Sequence, residues 1–171
     1  MTREMIQKII EDYMMMPPVD MKPLVDGFLE PEQGTERSAA IDLKAQYDFE
    51  IRSDKKNLVK LGFAAAIPKG YCALLMPRSG QGSKAGVHLT NTIGLIDDDY
   101  RDEWMASVHL DQFKDNIGDA EILKEGTKVL KVKKGERFIQ CLFVKKELIK
   151  LNYTDDLDET ERKGGFGHTN K

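Results

Sequence analysis

Three adjacent carboxylates, Asp97, Asp98 and Asp99, stand directly before Tyr100 in the segment NTIGLIDDDYRDEW. Like charges at that spacing repel one another and cost stability unless a cation or solvent screens them. Two readings follow, a functional site or an exposed acidic turn, and residue types alone favour the turn. In an extended chain Asp97 and Asp99 would point to one side and Asp98 to the other, so at most two of them could face one pocket.

Three further segments carry groups that could meet an anion. PRSGQGSKAG (residues 77–86) offers the forked cation of Arg78 and the hydroxyl of Ser79, while Gly80 and Gly82 let backbone amides approach closely. An ordinary polar turn is the commoner use of such a run. KKGERFIQCLFV (residues 133–144) reads as a turn feeding a strand in which Arg137, Ile139 and Cys141 alternate with Phe138, Gln140 and Leu142. The polar Gln140 marks either a strand edge, the safer expectation, or a reach into a polar site. RKGGFGHT (residues 162–169) sets three glycines around Phe166, either a disordered tail or an arm that lays an aromatic ring over a ligand. His168 joins only His88 and His109, with no cysteine or carboxylate at zinc-ligand spacing.

These segments need elements to hold them. From Ser38 onward the chain runs in short apolar or alternating stretches: SAAIDLKA, NLVKLGFAAAI, YCALLMP, GVHLTNTIG, WMASVHL, TKVLKVKK and RFIQCLFVKK. Turn residues separate them, which predicts an all-β sandwich or barrel and argues against a parallel α/β sheet. Residues 2–16 place Met5, Ile6, Ile9, Ile10, Tyr13 and Met14 at helical spacing until Pro17 and Pro18 stop the pattern, so one short amphipathic helix is expected. A polar stretch within residues 110–126 interrupts the strand rhythm as an insertion, with room for a helical turn. Residues 152–171 are charged and then glycine-rich, too polar to bury much. The expected division is a helical extension (1–18), a β-domain (19–151) and a C-terminal arm (152–171).

The chain has 171 residues, 40% hydrophobic and 32% charged, enough for one core. Its net charge of −3 gives no field to draw it onto a nucleic acid, so any phosphate must be met locally. Cys72 and Cys141 lie in apolar runs, where buried thiols are common, and a reducing, cytoplasmic setting is expected. No apolar stretch nears the roughly 20 residues that span a bilayer.

In order along the chain, SAAIDLKA, MPRSGQGSKAG, NTIGLIDDDYRDEW, GERFIQCLFV and RKGGFGHT resemble the five motifs of the trimeric dUTPases, over residues 37–171. The resemblance implies a jelly-roll-like β-barrel, a homotrimer with active sites shared between subunits, and Mg2+-dependent hydrolysis of dUTP to dUMP and pyrophosphate. On this footing Asp97, in Gly94-Leu95-Ile96-Asp97, activates the attacking water. Tyr100 packs under the deoxyribose and rejects ribonucleotides, and Asn91 and Gly94 belong to a hairpin that reads uracil. Arg78, Ser79, Gly80 and Gln140 contact the phosphates. Phe166 covers the base, with Arg162, Gly167, His168 and Thr169 supplying anion contacts from the arm. Mg2+ is held mainly by phosphates and water, with Asp42 assisting through a water. No nucleic-acid or membrane partner is implied.

The chain departs from the family pattern at Ala40 and Asp102, where glycines are usual, and in having only Lys163 between Arg162 and Gly164, so that Arg162 or Lys163 takes the terminal phosphate. Two alternatives stand beside this reading: a dCTP deaminase on the same fold, and an interaction or regulatory protein using the helix and the insertion.

Overall fold

A computed structural model describes residues 2–7, 16–111, 121–123 and 126–161. Among these residues the chain is built almost wholly from strands. They run in the order β1 (Asp20–Pro23), β2 (Glu32–Gln33), β3 (Ile41–Lys44), β4 (Phe49–Arg52), β5 (Asn57–Lys60), β6 (Phe63–Ala66) and β7 (Tyr71–Pro77). After one helical turn at Gly80–Lys84 follow β8 (Val87–Leu89), β9 (Gly94–Ile96), β10 (Met105–Leu110), β11 (Glu121–Ile122), β12 (Lys128–Val132) and β13 (Arg137–Lys145).

Every pairing is antiparallel. The largest sheet has the order β2-β3-β13-β7-β9, and smaller ones have the orders β5-β10-β8, β11-β12-β4 and β1-β6. Neighbours in these sheets are mostly distant in sequence, the arrangement of a jelly-roll-like fold. Between the layers lies one core in which Trp104, Phe138, Leu75, Ile139 and Val108 are fully buried. Trp104 packs on Phe63 with ring centroids 5.1 Å apart, and Phe138 meets Phe49 edge-on at the same distance. Each such side chain contributes about 1.5–3 kcal/mol by leaving water.

The run NLVKLGFAAAI divides into β5 and β6 at Gly62, whose φ is +75° and whose missing side chain makes room for Gln46. The run GVHLTNTIG is not one strand: β8 joins β10 and β9 joins β7, so the turn around Asn91 crosses from one sheet to another. Part of the insertion is a strand, since β11 pairs with β12, while the helical turn expected there falls outside the described residues.

Of the expected N-terminal helix, residues 3–7 are helical and exposed, with the Met5 amide donating to Thr2 Oγ1 at 3.2 Å. Residues 8–15 lie outside the described residues. No described helix is long and apolar enough to cross a membrane. Both cysteines are buried and unpaired, and burial pushes the Cys141 thiol up to about 12.

Candidate active site

β13 is the central strand of the five-stranded sheet, and its register sets Gln140 beside Asp42 of β3 on one flank and Met76 of β7 on the other. Gln140 is therefore not at a strand edge. Its Nε2 donates to the Pro77 carbonyl at 3.0 Å, which ties the side chain to the point where β7 gives way to Arg78 and Ser79. Arg78 turns back over β3: Nε donates to Asp42 Oδ1 at 2.8 Å and Nη1 to the Arg137 carbonyl at 3.1 Å. Its Nη2 takes no part in these contacts.

Asp42 is buried, and its second oxygen lies 3.4 Å from Arg137 Nη1, which also meets Glu32 Oε1 at 3.1 Å. The Lys44 ammonium, hydrogen-bonded to Glu32, together with the Arg137 charge, holds the Glu32 carboxyl below its ordinary value of 4.5. Arg78, Ser79, Arg137, Gln140, Asp42 and Ala40 line an open groove with about 930 Å³ of empty space. Two guanidinium groups, a hydroxyl and an amide around such an opening can grip phosphate oxygens.

Arg137 joins this groove because of a β-bulge. The pairing of β13 with β3 shifts between Arg137 and Ile139, so Phe138 and Ile139 are both buried and Arg137 comes to the same side as Gln140. Simple alternation, as expected from the sequence, separates them.

After Pro77 the chain enters a single wide turn of π type, with the Gly82 amide donating to the Arg78 carbonyl at 2.8 Å and the Gly86 amide to the Gly82 carbonyl at 3.1 Å. This turn orients Ser79 and Gly80. The family departures Ala40 and Asp102 cause no backbone strain, because Thr92 is the one non-glycine residue at positive φ among the described residues.

At the other end of β7 stands the acidic segment. Gly94 pairs with Leu75, and a side chain on Gly94 would come within 2.9 Å of Leu75 Cβ, so only glycine lets β9 lie against β7. Before it, Asn91 is exposed in a turn in which Thr92 takes a φ of 67°. A β-branched residue in that region is strained. After β9 the chain turns, with the Tyr100 amide donating to the Asp97 carbonyl at 3.3 Å. Asp97 and Asp99 are exposed. Asp98 points elsewhere: it accepts from the Gly70 amide at 2.8 Å and pairs with Lys146 at 2.9 Å. The Lys146 hydrogen bond, then the Gly70 amide, hold its carboxyl below the ordinary 3.8. The half-buried Tyr100 packs on the core, and its hydroxyl donates to the Glu103 carbonyl at 3.2 Å.

One chain does not unite the two ends. Ile96 pairs with Ala73, which sets Asp97 level with Cys72, whereas Arg78 follows Pro77. Six residues of strand separate those levels, roughly 20 Å at about 3.3 Å per residue. The chain thus gathers Asp42, Arg78, Ser79 and Gln140 at one end and holds Asp97 and Tyr100 at the other. Arg162, Phe166, Gly167, His168 and Thr169 lie outside the described residues.

Sequence spacing also misses Asp111, whose Oδ2 lies 2.7 Å from His88 Nε2 and whose Oδ1 lies 3.7 Å from His109 Nε2. The two imidazoles stack across β8 and β10. Among the described residues no group of three or more His, Cys, Asp or Glu side chains has the geometry of a metal cage.

A family model described as dUTPase matches residues 28–170. The deoxyuridine 5'-triphosphate nucleotidohydrolase of Haemophilus influenzae (strain PittEE) is 35% identical over 145 residues, 82% of this chain and 87% of that one. Its counterpart in Pectobacterium carotovorum subsp. carotovorum (strain PC1) is 35% identical over 166 residues, 92% of this chain and 99% of that one. Among solved structures, a mutant dUTPase of Staphylococcus bacteriophage 80alpha with dUpNHpp superposes with a TM-score of 0.74 at 21% identity, covering 90% of this chain and 99% of that chain. At that identity the likeness speaks for the fold. With a family model spanning most of its length and relatives matched over nearly all of theirs, the chain belongs to the dUTPase family.

Proposed function

We propose that this chain is a dUTP diphosphatase that works as a homotrimer, each active site taking its phosphate grip from one copy and its water-activating turn from another. The observation that carries this reading is the roughly 20 Å of β7 between Arg78 and Asp97, too far for one nucleotide to use both from a single chain. The exposed Leu148, Ile149, Leu151, Tyr153 and Leu157, all 74–92% accessible along a C-terminal stretch without regular secondary structure, support docking of that stretch on a neighbouring copy.

In the reaction Asp97 takes a proton from water as its oxygen attacks the α-phosphorus. The bond from that phosphorus to the bridging oxygen breaks, giving dUMP and pyrophosphate. Tyr100, held by the core and by the Glu103 carbonyl, presents a fixed ring to the deoxyribose. Asn91 reads the uracil edge beside the close-packed Gly94. Arg78, Ser79, Gly80 and Gln140 hold the phosphates. Phe166 closes over the base, with Arg162, Gly167, His168 and Thr169 on the phosphates; closure expels water and strengthens each charge contact.

Mg2+ fits the donor set of the groove. Both oxygens of Asp42 already face guanidinium groups, so Asp42 would reach an ion through water without releasing Arg78. Phosphate oxygens and water would supply the remaining ligands, and the ion would offset negative charge on the triphosphate. Buried, unpaired Cys72 and Cys141 suit a reducing cytoplasmic setting.

Incubating the protein with Mg2+ and each common nucleoside triphosphate, with pyrophosphate and ammonia both measured, tests the reading. Pyrophosphate from dUTP alone is the expected result. Ammonia released from dCTP would replace it with the deaminase alternative.

A further inference from the structure

Asp98 lies beside the proposed base and does not share its surroundings. Three contacts close a ring around it. Asp98 Oδ2 accepts from the Gly70 amide at 2.8 Å, Asp98 Oδ1 pairs with Lys146 Nζ at 2.9 Å, and the Lys146 amide donates to the Gly70 carbonyl at 2.8 Å. The ring joins the tight turn before β7, the end of β13 and the turn that carries Asp97. Asp98 and Lys146 side chains are 17% and 30% exposed, so the pair is partly shielded from water.

Apart from the Tyr100 ring, which packs on the core at its far end, the turn has little else to hold it. β9 is three residues long, at the edge of its sheet, and ends at Ile96. Beyond it the Tyr100 amide reaches the Asp97 carbonyl at 3.3 Å, a long bond, and Arg101 Nη1 donates to the Asp98 carbonyl at 2.6 Å. Both contacts lie within the turn and travel with it. Among the contacts of Asp97, Asp98 and Asp99 with distant elements, those of Asp98 alone fasten the turn to a long strand.

We infer that Asp98 is a positioning residue for catalysis: clamped by Gly70 and Lys146, it fixes the turn so that the neighbouring Asp97 meets the attacking water in line. The inference rests on the proposed role of Asp97. It divides the labour of the three carboxylates, one committed to scaffolding so that its neighbour stays exposed to substrate. The Asp98 hydrogen bond, first, and the charges of Asp97 and Asp99, after it, raise the Lys146 ammonium above its ordinary 10.5, so the clamp stays charged at neutral pH.

The test is steady-state dUTP hydrolysis by wild type, Asp98→Ala, Asp98→Asn and Lys146→Met, each with its melting temperature. Misplacing a catalytic group by about 1 Å costs up to about 100-fold, so Asp98→Ala should lower kcat about 10- to 100-fold. KM should stay within about twofold, because the clamp touches no part of the substrate. Asp98→Asn keeps an acceptor for Gly70 and should return to within about fivefold of wild type. If Asp98→Ala does not fold, a lower kcat at constant KM in Lys146→Met decides in its place. A lower melting temperature with unchanged kcat would reduce the ring to plain stability and overturn the inference, as would a rise in KM alone. A wild-type protein that leaves dUTP intact would instead overturn the enzyme reading and this inference with it.

Discussion

Arg78 Nε donates to Asp42 Oδ1 across 2.8 Å, so the cation that follows β7 is aimed by a buried carboxylate on β3. Asp42→Ala leaves Arg78 without its guide. A hydrogen bond to a charged group contributes about 1.5–3 kcal/mol, so kcat/KM for dUTP should fall roughly 10- to 100-fold. Asp42→Asn retains the acceptor and should fall less. Steady-state kinetics of the two variants checks the order.

Asp97→Asn removes the proposed base with little change of shape. Turnover should drop at least about 100-fold while a non-hydrolysable dUTP analogue binds within a few-fold of wild type. Near-normal turnover would place the base elsewhere. Calorimetric titration beside a pyrophosphate assay separates the two quantities.

The proposed sharing of the site between copies makes a prediction about mixtures. Asp97→Asn and Arg78→Ala should each be nearly inactive alone. When they are co-produced and assort at random, about a quarter of sites pair an intact Arg78 with an intact Asp97. Recovery of roughly that fraction of wild-type turnover is expected, and none at all would count against a site split between copies.

Thr92 carries a φ of 67° next to Asn91. Strain of this kind costs about 1–3 kcal/mol, and Thr92→Gly should relieve part of it, raising the melting temperature by a few degrees. The freed turn should hold Asn91 less firmly, with KM for dUTP rising. A variant that gains stability without loss of affinity would show that the strain does not serve the proposed reading of the base.

Stability against pH follows from paired surface groups. Lys44 and Arg137 lower Glu32, Lys133 and the Lys134 amide lower Asp48, and Lys146 and Gly70 lower Asp98. A carboxyl lowered by folding lends stability above its unfolded value, here 4.5 or 3.8, and loses it as pH falls through the folded value. Glu103 raises Lys60, and Asp48 raises Lys133, so their share is complete below 10.5 and is lost as pH climbs through the raised values. The melting temperature should be flat between about pH 5 and 10 and decline on either side. Differential scanning fluorimetry across pH checks this, and a melting temperature that stays level below about pH 4 would show these pairs to be immaterial.

Much of the architecture was legible in the chain. YCALLMP is β7 residue for residue, and RFIQCLFVK is β13, because long alternating or apolar runs declare themselves. β1 and β4 were not expected: DMKP and FEIR are four-residue strands, one holding a proline and the other two charges, and pairing rather than composition makes them strands. The candidate site offered its residue types in the chain, but its wiring was not legible there. No spacing rule reveals that a bulge brings Arg137 beside Gln140, that Asp98 is spoken for by a lysine 48 positions later, or that Asp111 lies between two histidines. These depend on which strands become neighbours.

β7 acts as a spacer bar, and under the proposed trimer its length has a genetic corollary. A nascent polypeptide bearing all the right side chains is chemically silent until it meets its siblings, so output should climb more steeply than gene dose at low expression. A copy with one lesion spoils only the single centre to which it would lend that side chain, so a cell carrying both alleles should keep about half its centres and its output should follow the dose of the sound allele.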